Sequence, residues 1–268
     1  MLTLASDFGT PYPAAMKGVV LSRTDGQLVD ISHHLPRQDP RAAAFWLREA
    51  VPYFPPAVHL AVVDPGVGTD RRAIAIRVGN HALVGPDNGL LRPVARRLVE
   101  THAEPGEEPL VEAFEIIVDN PSSSTFHGRD VFAPAAAEIH EQGVDQITEV
   151  DQLSPLELDS CVDLRFPTPT RDGEAIHGEV LVVDDFGNVI TNVQGELLGD
   201  ADEATVGDHR VPVVDTFDRV DRGERLLTVG SHGYVECDVN QGRGEDAFGL
   251  TVGETVGIVV DGESEHTA

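Results

Sequence analysis

The chain has 268 residues, of which 46 are acidic and 19 basic, so its formal net charge is −27. This length suffices for one large domain or two ordinary domains with buried cores. A hydrophobic content of 41%, with 26 glycines and 18 prolines, indicates a globular, turn-rich chain and argues against disorder. The excess of negative charge excludes nucleic acids and anionic membranes as default partners.

Two further features of the composition concern where the protein works. No apolar run approaches the roughly 20 residues that span a bilayer, and the N-terminus lacks the segments of a signal peptide, so we expect a cytoplasmic protein. Lys17 is the only lysine, beside 18 arginines. Abundant acidic charge with almost no lysine suits a cytosol at molar salt, where the Debye length is about 3 Å. We therefore expect a salt-adapted organism; a GC-rich codon bias with ordinary acidity would also give this composition.

The cysteines and histidines do not indicate a metal site. Cys161 and Cys237 stand alone without a CxxC pair, which indicates neither a disulfide framework nor a zinc site. We expect both to be buried as small hydrophobic residues. The 11 histidines show no HExxH or comparable spacing. The sequence therefore predicts no metal.

In chain order, the first half alternates short apolar runs with amphipathic stretches, which is typical of strands and helices around a mostly parallel sheet. Strands are predicted at residues 2–6, 28–32, 58–64, 73–78, 81–85 and 113–118, with 73–78 and 81–85 pairing as a hairpin. Helices are predicted at residues 14–23, 41–53, 90–98 and 130–140, and a loop at 119–128. We interpret residues 1–155 as an N-terminal α/β domain.

The second half has a different pattern. Residues 156–173 carry prolines and acids without sustained periodicity and are predicted as a linker. Short strands at turn-punctuated intervals follow, which predicts a smaller C-terminal β-barrel domain over residues 174–268. These strands are predicted at residues 178–184, 189–193, 210–214, 225–230, 233–239 and 255–260, with one short helix at 244–250.

Polar residues follow several predicted strands, where open α/β sheets bind ligands. The first such motif is SDFGT at residues 6–10. The Asp7 carboxylate, next to a glycine that permits close backbone approach, could accept two hydrogen bonds from a ribose diol. From this motif alone, a helix cap or a turn-forming role for Asp7 is the simpler interpretation.

The motif VVDPGVGTDRR at residues 62–72 is denser in polar groups. Asp64 closes an apolar strand, and Arg71 follows a tight loop of proline and two glycines. A carboxylate and a guanidinium in one pocket can hold and polarise a water molecule. A structural ion pair between Asp64 and Arg71 fits the same spacing. The motif lacks GxxxxGK[ST], so it is not a phosphate-binding loop.

Three further loops carry candidate site residues. In SSSTFHGRD, His127 precedes a predicted helix, where an imidazole could exchange a proton near neutral pH, although a lone histidine is more often structural. In VDDFGNVITN, the side chains of Asp184, Phe186 and Asn188 could stack on a purine ring and hydrogen-bond its edge or an amino acid. The third loop, SHGYVECDVNQG, supplies Ser231 and Asn240, and each of these two loops alone is no more than a plausible turn.

Together these motifs resemble one family, the S-adenosylmethionine hydroxide adenosyltransferases, which are related to the fluorinase and chlorinase enzymes. The resemblance runs almost from end to end. The matching motifs, in order, are SDFGT, AMKGVV, LVDISHHLPRQD, AVVDPGVGTDRRAIAIR, VGPDNGLL, STFHGRDVFAPAAA, DDFGNVITN and VNQG. The resemblance implies an N-terminal α/β domain, a C-terminal β domain and a homotrimer whose substrate is enclosed between neighbouring subunits.

The resemblance also implies roles for individual residues. The family's catalytic residues fall on Asp64, Arg71 and His127, and its ribose-binding acid falls on Asp7. The remaining candidates, which resemble positions near the adenine or the methionine part, are Asp184, Phe186, Asn188, Ser231 and Asn240.

The implied reaction is attack of water at the ribose C5′ of S-adenosylmethionine, giving adenosine and L-methionine without a separate cofactor. Two alternatives share the resemblance. Halide-transferring relatives place a tyrosine where Asp64 stands, and a carboxylate there would repel a halide while favouring water. A non-catalytic sensor of S-adenosylmethionine or adenosine would tolerate loss of the catalytic residues, and all three are present. The sequence therefore favours hydrolysis.

Overall fold

A computed structural model describes residues 1–102, 109–117 and 123–260. The chain divides into two compact units, Met1–Arg165 (unit 1) and Phe166–Ala268 (unit 2). Within the described ranges, none of the helices combines the length and apolarity that crossing a membrane would require. The end of the predicted strand 113–118 and the first part of the predicted loop 119–128 lie outside the described residues.

Unit 1 is built around a mixed sheet. In the order β2-β1-β3-β5-β4-β6-β7, the first four strands run parallel and the last three pair antiparallel. The predicted hairpin is confirmed as the β4–β5 pair. The bounds of these strands are β1 Leu2–Ser6, β2 Leu28–Ser32, β3 Val58–Val62, β4 Ala73–Val78, β5 His81–Pro86, β6 Val111–Ile116 and β7 Leu153–Leu156.

Helices cover both faces of this sheet, which gives an α/β fold of three layers. The helices of unit 1 are α1 Tyr12–Leu21, α2 Pro40–Ala50, α3 Leu91–His102 and α4 Ala133–Gln142. Alternate side chains of β1 point to opposite faces. Leu2 and Leu4 pack with residues of α1 and α4, whereas Thr3 and Ala5 face residues of α2 and α3. The core therefore lies on both sides of the sheet.

The bounds of α2 follow from its sequence. The Asp39 carboxylate accepts a hydrogen bond from the Ala42 amide at 3.0 Å and caps the first turn, with Pro40 at the first helical position. The sequence predicts one helix over residues 41–53, but the α-helix ends at Ala50 and a 3₁₀ turn, Val51–Tyr53, follows. Pro52 has no amide hydrogen and cannot continue the α-helical ladder.

The helix predicted over residues 130–140 begins instead with a π-helical turn, Gly128–Phe132, before α4. The amide of Ala133 donates to the carbonyl of Gly128, five residues earlier. Pro134 cannot donate to the carbonyl four residues before it, so the regular α-helical ladder is interrupted here. His127 immediately precedes this wide turn.

A chain of side chains crosses three parallel strands of unit 1. Thr3 Oγ1 lies 2.8 Å from His59 Nδ1, and His59 Nε2 lies 3.0 Å from His81 Nδ1. All three residues are buried. Burial lowers the pKa of His59 to about 3 and that of His81 to about 4, with neighbouring histidines adding to the shift. Both rings are therefore neutral at physiological pH.

Part of the predicted linker is anchored to unit 1. Strand β7 pairs with β6, and the Asp87 carboxylate accepts a hydrogen bond from the Val162 amide at 2.8 Å. Arg92 donates to the carbonyl of Leu158, and Arg96 forms an ion pair of 2.5 Å with Asp163. These contacts hold residues 158–163 against the unit. The boundaries 1–155, 156–173 and 174–268 stay a prediction.

Unit 2 is a nearly closed antiparallel barrel. The strand order is β12-β11-β15-β9-β10-β14-β13, with β8 paired to β9, and a bridge between Val213 and Leu227 joins the two ends. A short helix, α5 Gly244–Phe248, precedes the last strand. The bounds of the strands are β8 Thr170–Asp172, β9 Ala175–Val183, β10 Val189–Gln194, β11 Glu203–Val206, β12 His209–Pro212, β13 Arg225–Val229, β14 Tyr234–Val239 and β15 Thr255–Val260.

Alternating strand residues fill the barrel. In β14, Val235 and Cys237 belong to the barrel core, and Glu236 between them points to the other face. Cys161 and Cys237 are both free and buried, as predicted. Strands β7, β8 and β11 had no counterpart in the sequence prediction, because each has only three or four residues and little apolar alternation.

Candidate active site

The loop after β3 brings the first two predicted catalytic residues together. Asp64 lies two residues beyond β3, and the chain turns through residues 65–70 before Arg71 returns to it. Gly68 has a φ of +80°, and a Cβ there would lie 3.0 Å from the carbonyl oxygen of Ser124. A side chain at this position would be strained and crowded, so glycine is required for the tight loop.

Asp64 and Arg71 form a bidentate ion pair. Arg71 Nε donates to Asp64 Oδ1 at 2.8 Å, and Arg71 Nη2 donates to Asp64 Oδ2. The two side chains are 4% and 11% exposed, respectively. The fork of the guanidinium fixes the plane of the carboxylate, while lone pairs on both carboxylate oxygens can still accept hydrogen bonds from a water molecule.

His127 joins this pair through the same guanidinium. Its Nδ1 atom lies 3.0 Å from Arg71 Nη2. Arginine only donates, so Nδ1 must accept, and the neutral ring carries its hydrogen on Nε2. Burial lowers the pKa of His127, as does the positive charge of Arg71, whereas Asp64 and Asp130 act in the opposite direction. His127 therefore offers an Nε2–H donor at neutral pH.

The Phe132 ring contacts the guanidinium of Arg71. This contact was not predicted from the sequence. The guanidinium carbon of Arg71 lies 4.9 Å from the centroid of the fully buried Phe132 ring. A cation over an aromatic face is held electrostatically, and the effect grows when water is excluded. No local motif marks this contact, since 61 positions separate the two residues.

A cavity of about 490 Å³ opens beside these groups within unit 1. Asp64 and His127 line it, together with Phe8, Tyr12 and Phe126. The three aromatic rings contact one another edge to face, with centroids 5.5–6.4 Å apart. Phe8 and Phe126 lie in motifs singled out from the sequence, which assigned them no role, and Tyr12 lies between two such motifs. The described residues contain no cluster of histidine, cysteine or carboxylate side chains that could hold a metal ion.

Asp7 lies beyond the C-terminal end of β1, which is adjacent and parallel to β3. Its carboxyl group is buried, and Oδ2 accepts a hydrogen bond from the Gln38 amide at 2.8 Å. Gln38 has a φ of +55°, which is unusual for a residue with a side chain. Sequence reasoning did not find Gln38, because it contacts Asp7 through its backbone.

In unit 2, the turn between β9 and β10 holds three predicted residues. Asp184 Oδ1 accepts from the amides of Phe186 and Asn188 at 2.9 and 2.8 Å, and Asp184 Oδ2 accepts from Asn188 Nδ2 at 3.0 Å. Phe186, on this turn, is 80% exposed. An exposed aromatic ring held by a rigid turn is suited to stacking on a planar ligand.

Ser231 and Asn240 lie at opposite ends of β14. Asn240 is at the end that carries the β9–β10 turn, and its Nδ2 donates to the carbonyl of Val220 at 2.8 Å. Ser231 lies in the turn before β14, where Gly233 donates to the Gly230 carbonyl. Asn240 therefore lies at the same end of β14 as the turn that holds Asp184, and Ser231 lies at the opposite end. The ligand-binding roles of both residues stay predictions.

Two carboxyl groups on β14, those of Glu236 and Asp238, are buried near Asp184. Asp238 is 0% exposed, and neither of its oxygens receives a hydrogen bond from an N–H group of the described residues. Burial, the neighbouring Glu236 and Asp184 raise the pKa of Asp238 to about 8. Burial and Asp184 raise that of Glu236 to about 7. Close packing of three acids favours proton retention on the pair at neutral pH.

Comparison with known proteins gives the site its context. Residues 2–150 match the family model of the SAM hydroxide adenosyltransferase N-terminal domain, and residues 178–257 match that of the C-terminal domain. A curated relative from Thermus thermophilus, named (R)-S-adenosyl-L-methionine hydrolase, is 41% identical over 268 residues, covering 95% of this chain and 97% of the relative. A relative of the same name from Salinispora tropica is 39% identical over 261 residues, covering 96% and 97%.

Solved structures agree with the fold. The crystal structure of an uncharacterized conserved protein from Thermotoga maritima has a TM-score of 0.79 and 32% identity, covering 97% of this chain and all of that one. A conserved hypothetical protein from Thermus thermophilus has a TM-score of 0.74 and 36% identity, covering 97% and 99%. The two family matches and the near-full-length relatives show that the chain belongs to the SAM hydroxide adenosyltransferase family.

Proposed function

We propose that this protein hydrolyses S-adenosyl-L-methionine to adenosine and L-methionine. The observation that carries the proposal is the contact of Asp64, Arg71 and His127, of which Asp64 and His127 line one cavity. The relatives from Thermus thermophilus and Salinispora tropica carry the name (R)-S-adenosyl-L-methionine hydrolase, which supports the (R) sulfonium epimer as the substrate.

The reaction needs little activation of the leaving group. The water oxygen forms a bond to C5′ while the C5′–S bond breaks. The electron pair of the broken bond stays on sulfur, which becomes the neutral thioether of methionine. The attacking water loses one proton to solvent, so the positive charge of the sulfonium leaves as a proton. The protein's main contribution is to align oxygen, carbon and sulfur. No separate cofactor enters this balance.

The contacts of the three residues define their proposed roles. The Asp64 carboxylate accepts a hydrogen bond from the attacking water and passes its proton toward solvent. Arg71 holds the carboxylate plane and the His127 ring in fixed positions. Because Arg71 occupies Nδ1 of His127, the ring acts as a donor through Nε2–H, toward the water or the substrate.

A halide transferase is the nearest alternative, and Asp64 argues against it. The Asp64 side chain is 4% exposed and lines the cavity, so a halide ion there would meet a poorly screened carboxylate. Water can donate a hydrogen bond to the same group. The carboxylate therefore favours water as the nucleophile.

Asp64→Asn tests the proposal. The parent protein, incubated with each sulfonium epimer in ¹⁸O-water and KCl, is expected to give ¹⁸O-labelled adenosine and equimolar methionine by mass spectrometry. The variant should lose at least about a hundredfold in kcat, since base assistance contributes about 10² to 10⁴, with a smaller change in KM. Asp70→Asn, at an exposed acid of the same loop, is the matched control.

Each contrary outcome has a distinct meaning. Formation of 5′-chloro-5′-deoxyadenosine would assign the protein to the halide transferases. Binding of the substrate without turnover would support the sensor alternative. Full turnover by the Asp64→Asn variant would contradict the role of Asp64 while leaving the hydrolase assignment in place.

We further propose that the working form is a cytoplasmic homotrimer in which neighbouring subunits complete each site. Membership of the family supports this assembly, because the resemblance places the substrate between the N-terminal domain of one subunit and the C-terminal domain of the next. The exposed ring of Phe186 is consistent with contact to a ligand outside its own unit's core.

A further inference from the structure

A hydrogen-bonded chain of side chains contacts residues 6–10, here called the Asp7 loop, and has no part in the proposed chemistry. Ser6 Oγ lies 2.8 Å from His33 Nδ1, and His33 Nε2 lies 3.1 Å from Asp30 Oδ1. Lys17, on α1, donates to Asp30 Oδ2 at 2.5 Å. Ser6 is fully buried, so the chain runs from the interior to a surface ion pair and does not present a nucleophile.

The chemistry of the partners fixes the direction of every hydrogen bond. The Asp30 carboxylate only accepts, so His33 Nε2 must carry a hydrogen and donate it. Burial lowers the pKa of His33, and the neutral ring then has Nδ1 as an acceptor for the Ser6 hydroxyl. The lone pairs of Ser6 Oγ face the amide of Phe8 at 3.5 Å. His33 thus sets the rotamer of the residue that precedes Asp7.

The segment around His33 also holds the Asp7 loop through the backbone. The Gly9 amide donates to the His33 carbonyl at 2.8 Å, and the Leu35 amide donates to the Ser6 carbonyl at 3.2 Å. Further along the same segment, the Gln38 amide donates to Asp7 Oδ2 at 2.8 Å. Hydrogen bonds therefore hold the Asp7 loop on both sides of Asp7 and at its carboxyl group.

We propose that His33 is a positioning residue, which orients Asp7 for a ribose diol through its contact with Ser6. The inference rests on the proposed function, because that assigns the diol to Asp7. A carboxylate discriminates a diol only while its two oxygens are held at the correct angle. His33 does not touch the ligand and acts through the loop.

Three substitutions at His33 separate its two hydrogen bonds. His33→Asn places an amide oxygen near the Nδ1 position and keeps the bond to Ser6, whereas His33→Gln reaches only toward Asp30. His33→Ala removes both bonds. His34→Ala is the matched control, because the neighbouring histidine is exposed. The readout is the ratio of the Kd for 2′,3′-dideoxyadenosine to the Kd for adenosine, measured by calorimetry.

The parent protein should bind adenosine at least about tenfold more tightly than the dideoxy analogue, since hydrogen bonds to a charged group are worth about 1.5–3 kcal/mol. The ratio should fall toward one in His33→Ala and His33→Gln, with the Kd of the dideoxy analogue unchanged. It should stay near the parent value in His33→Asn and His34→Ala.

Several results would overturn the inference. Equal weakening of both ligands in the His33 variants would show a merely structural role, and an unchanged ratio in all of them would show no role. Collapse of the ratio in His33→Asn would contradict the route through Ser6. If the parent protein does not distinguish the two ligands, Asp7 does not bind the diol and the inference fails. The proposed function is then judged separately, by the assay for hydrolysis of S-adenosylmethionine.

Discussion

Arg71 makes four contacts that together define the centre of the site. It holds both oxygens of Asp64, donates to His127 Nδ1, donates to the carbonyl of Arg72 at 3.0 Å, and lies over the Phe132 ring. A lysine has the charge but not the planar fork, so it cannot make these contacts together. The geometry of the site therefore depends on the shape of this side chain as well as its charge.

Arg71→Lys should lower kcat by at least about tenfold, because loss of one well-formed charged hydrogen bond costs about 1.5–3 kcal/mol. The ammonium can still neutralise Asp64, so KM should change less. Steady-state kinetics with S-adenosylmethionine would measure both. Arg72→Lys is the control, since the Arg72 side chain pairs with Asp87 and not with Asp64. An Arg71→Lys enzyme as fast as the parent would show that charge alone suffices.

Individual residues also show where sequence reasoning stops. Asp64 and Arg71 were identifiable because one loop carries both within eight positions, and His127 because a polar motif surrounds it. Phe132 and Gln38 were not, because their contacts join positions that are distant in sequence or use the backbone. No periodicity or composition encodes such contacts before the chain is folded.

The histidine chain of unit 1 is a property of the sheet, since it joins β1, β3 and β5. Neutral His59 and His81 must each take up a proton when the protein unfolds below their ordinary pKa of 6.5. Their folded pKa values are lowered, so the stability they contribute is fully present above pH 6.5 and is lost as the pH falls toward 4 and 3.

His59→Gln should therefore reduce the sensitivity of unit 1 to acid. Between pH 7 and pH 5 the parent should lose about 2 kcal/mol of unfolding free energy per neutral buried histidine, and the variant should lose about 2 kcal/mol less. Urea unfolding, followed by the fluorescence of Trp46 in α2, would measure the difference. His34→Gln should keep the parent's response. Identical pH slopes for parent and His59→Gln would contradict the assignment.

The elements divide in the same way into those that a local pattern predicts and those that it does not. Strands β1 and β3 are apolar at most of their positions; β1 lies where it was predicted, and β3 begins where predicted but ends two residues earlier, at Val62. The short strands β7, β8 and β11 depend on partners elsewhere in the sheet. The π-helical turn depends on Pro134, whose effect on the carbonyl ladder was not considered in the helix prediction.

At the scale of the whole molecule, the predicted site residues fall into two groups. Asp7, Asp64, Arg71 and His127 belong to unit 1, while the remaining predicted residues belong to unit 2. If neighbouring subunits complete each site, as proposed, a defect in one group can be compensated by an intact group on another chain. The salt adaptation suggested by the net charge of −27 stays a prediction from composition.

Mixing two variants of low activity tests the proposed trimer. Asp64→Asn and Phe186→Ala should each have low activity alone, but co-refolded mixtures should regain activity because some sites combine two intact units. The mass of one chain is 28.8 kDa, and light scattering should give three times this value. Mixing Asp64→Asn with Arg71→Lys is the control and should restore nothing. A monomer, or mixtures that gain no activity, would contradict the shared site.

The π-helical turn at Gly128–Phe132 makes the site sensitive to chain length as well as to residue type. An α-helix advances about 100° per residue, so deleting Val131 from this turn would rotate His127 by roughly that angle relative to α4. Its imidazole would then leave Arg71, although every side chain of the site would still be encoded. A single-residue deletion here can therefore abolish the site while preserving every side chain that forms it.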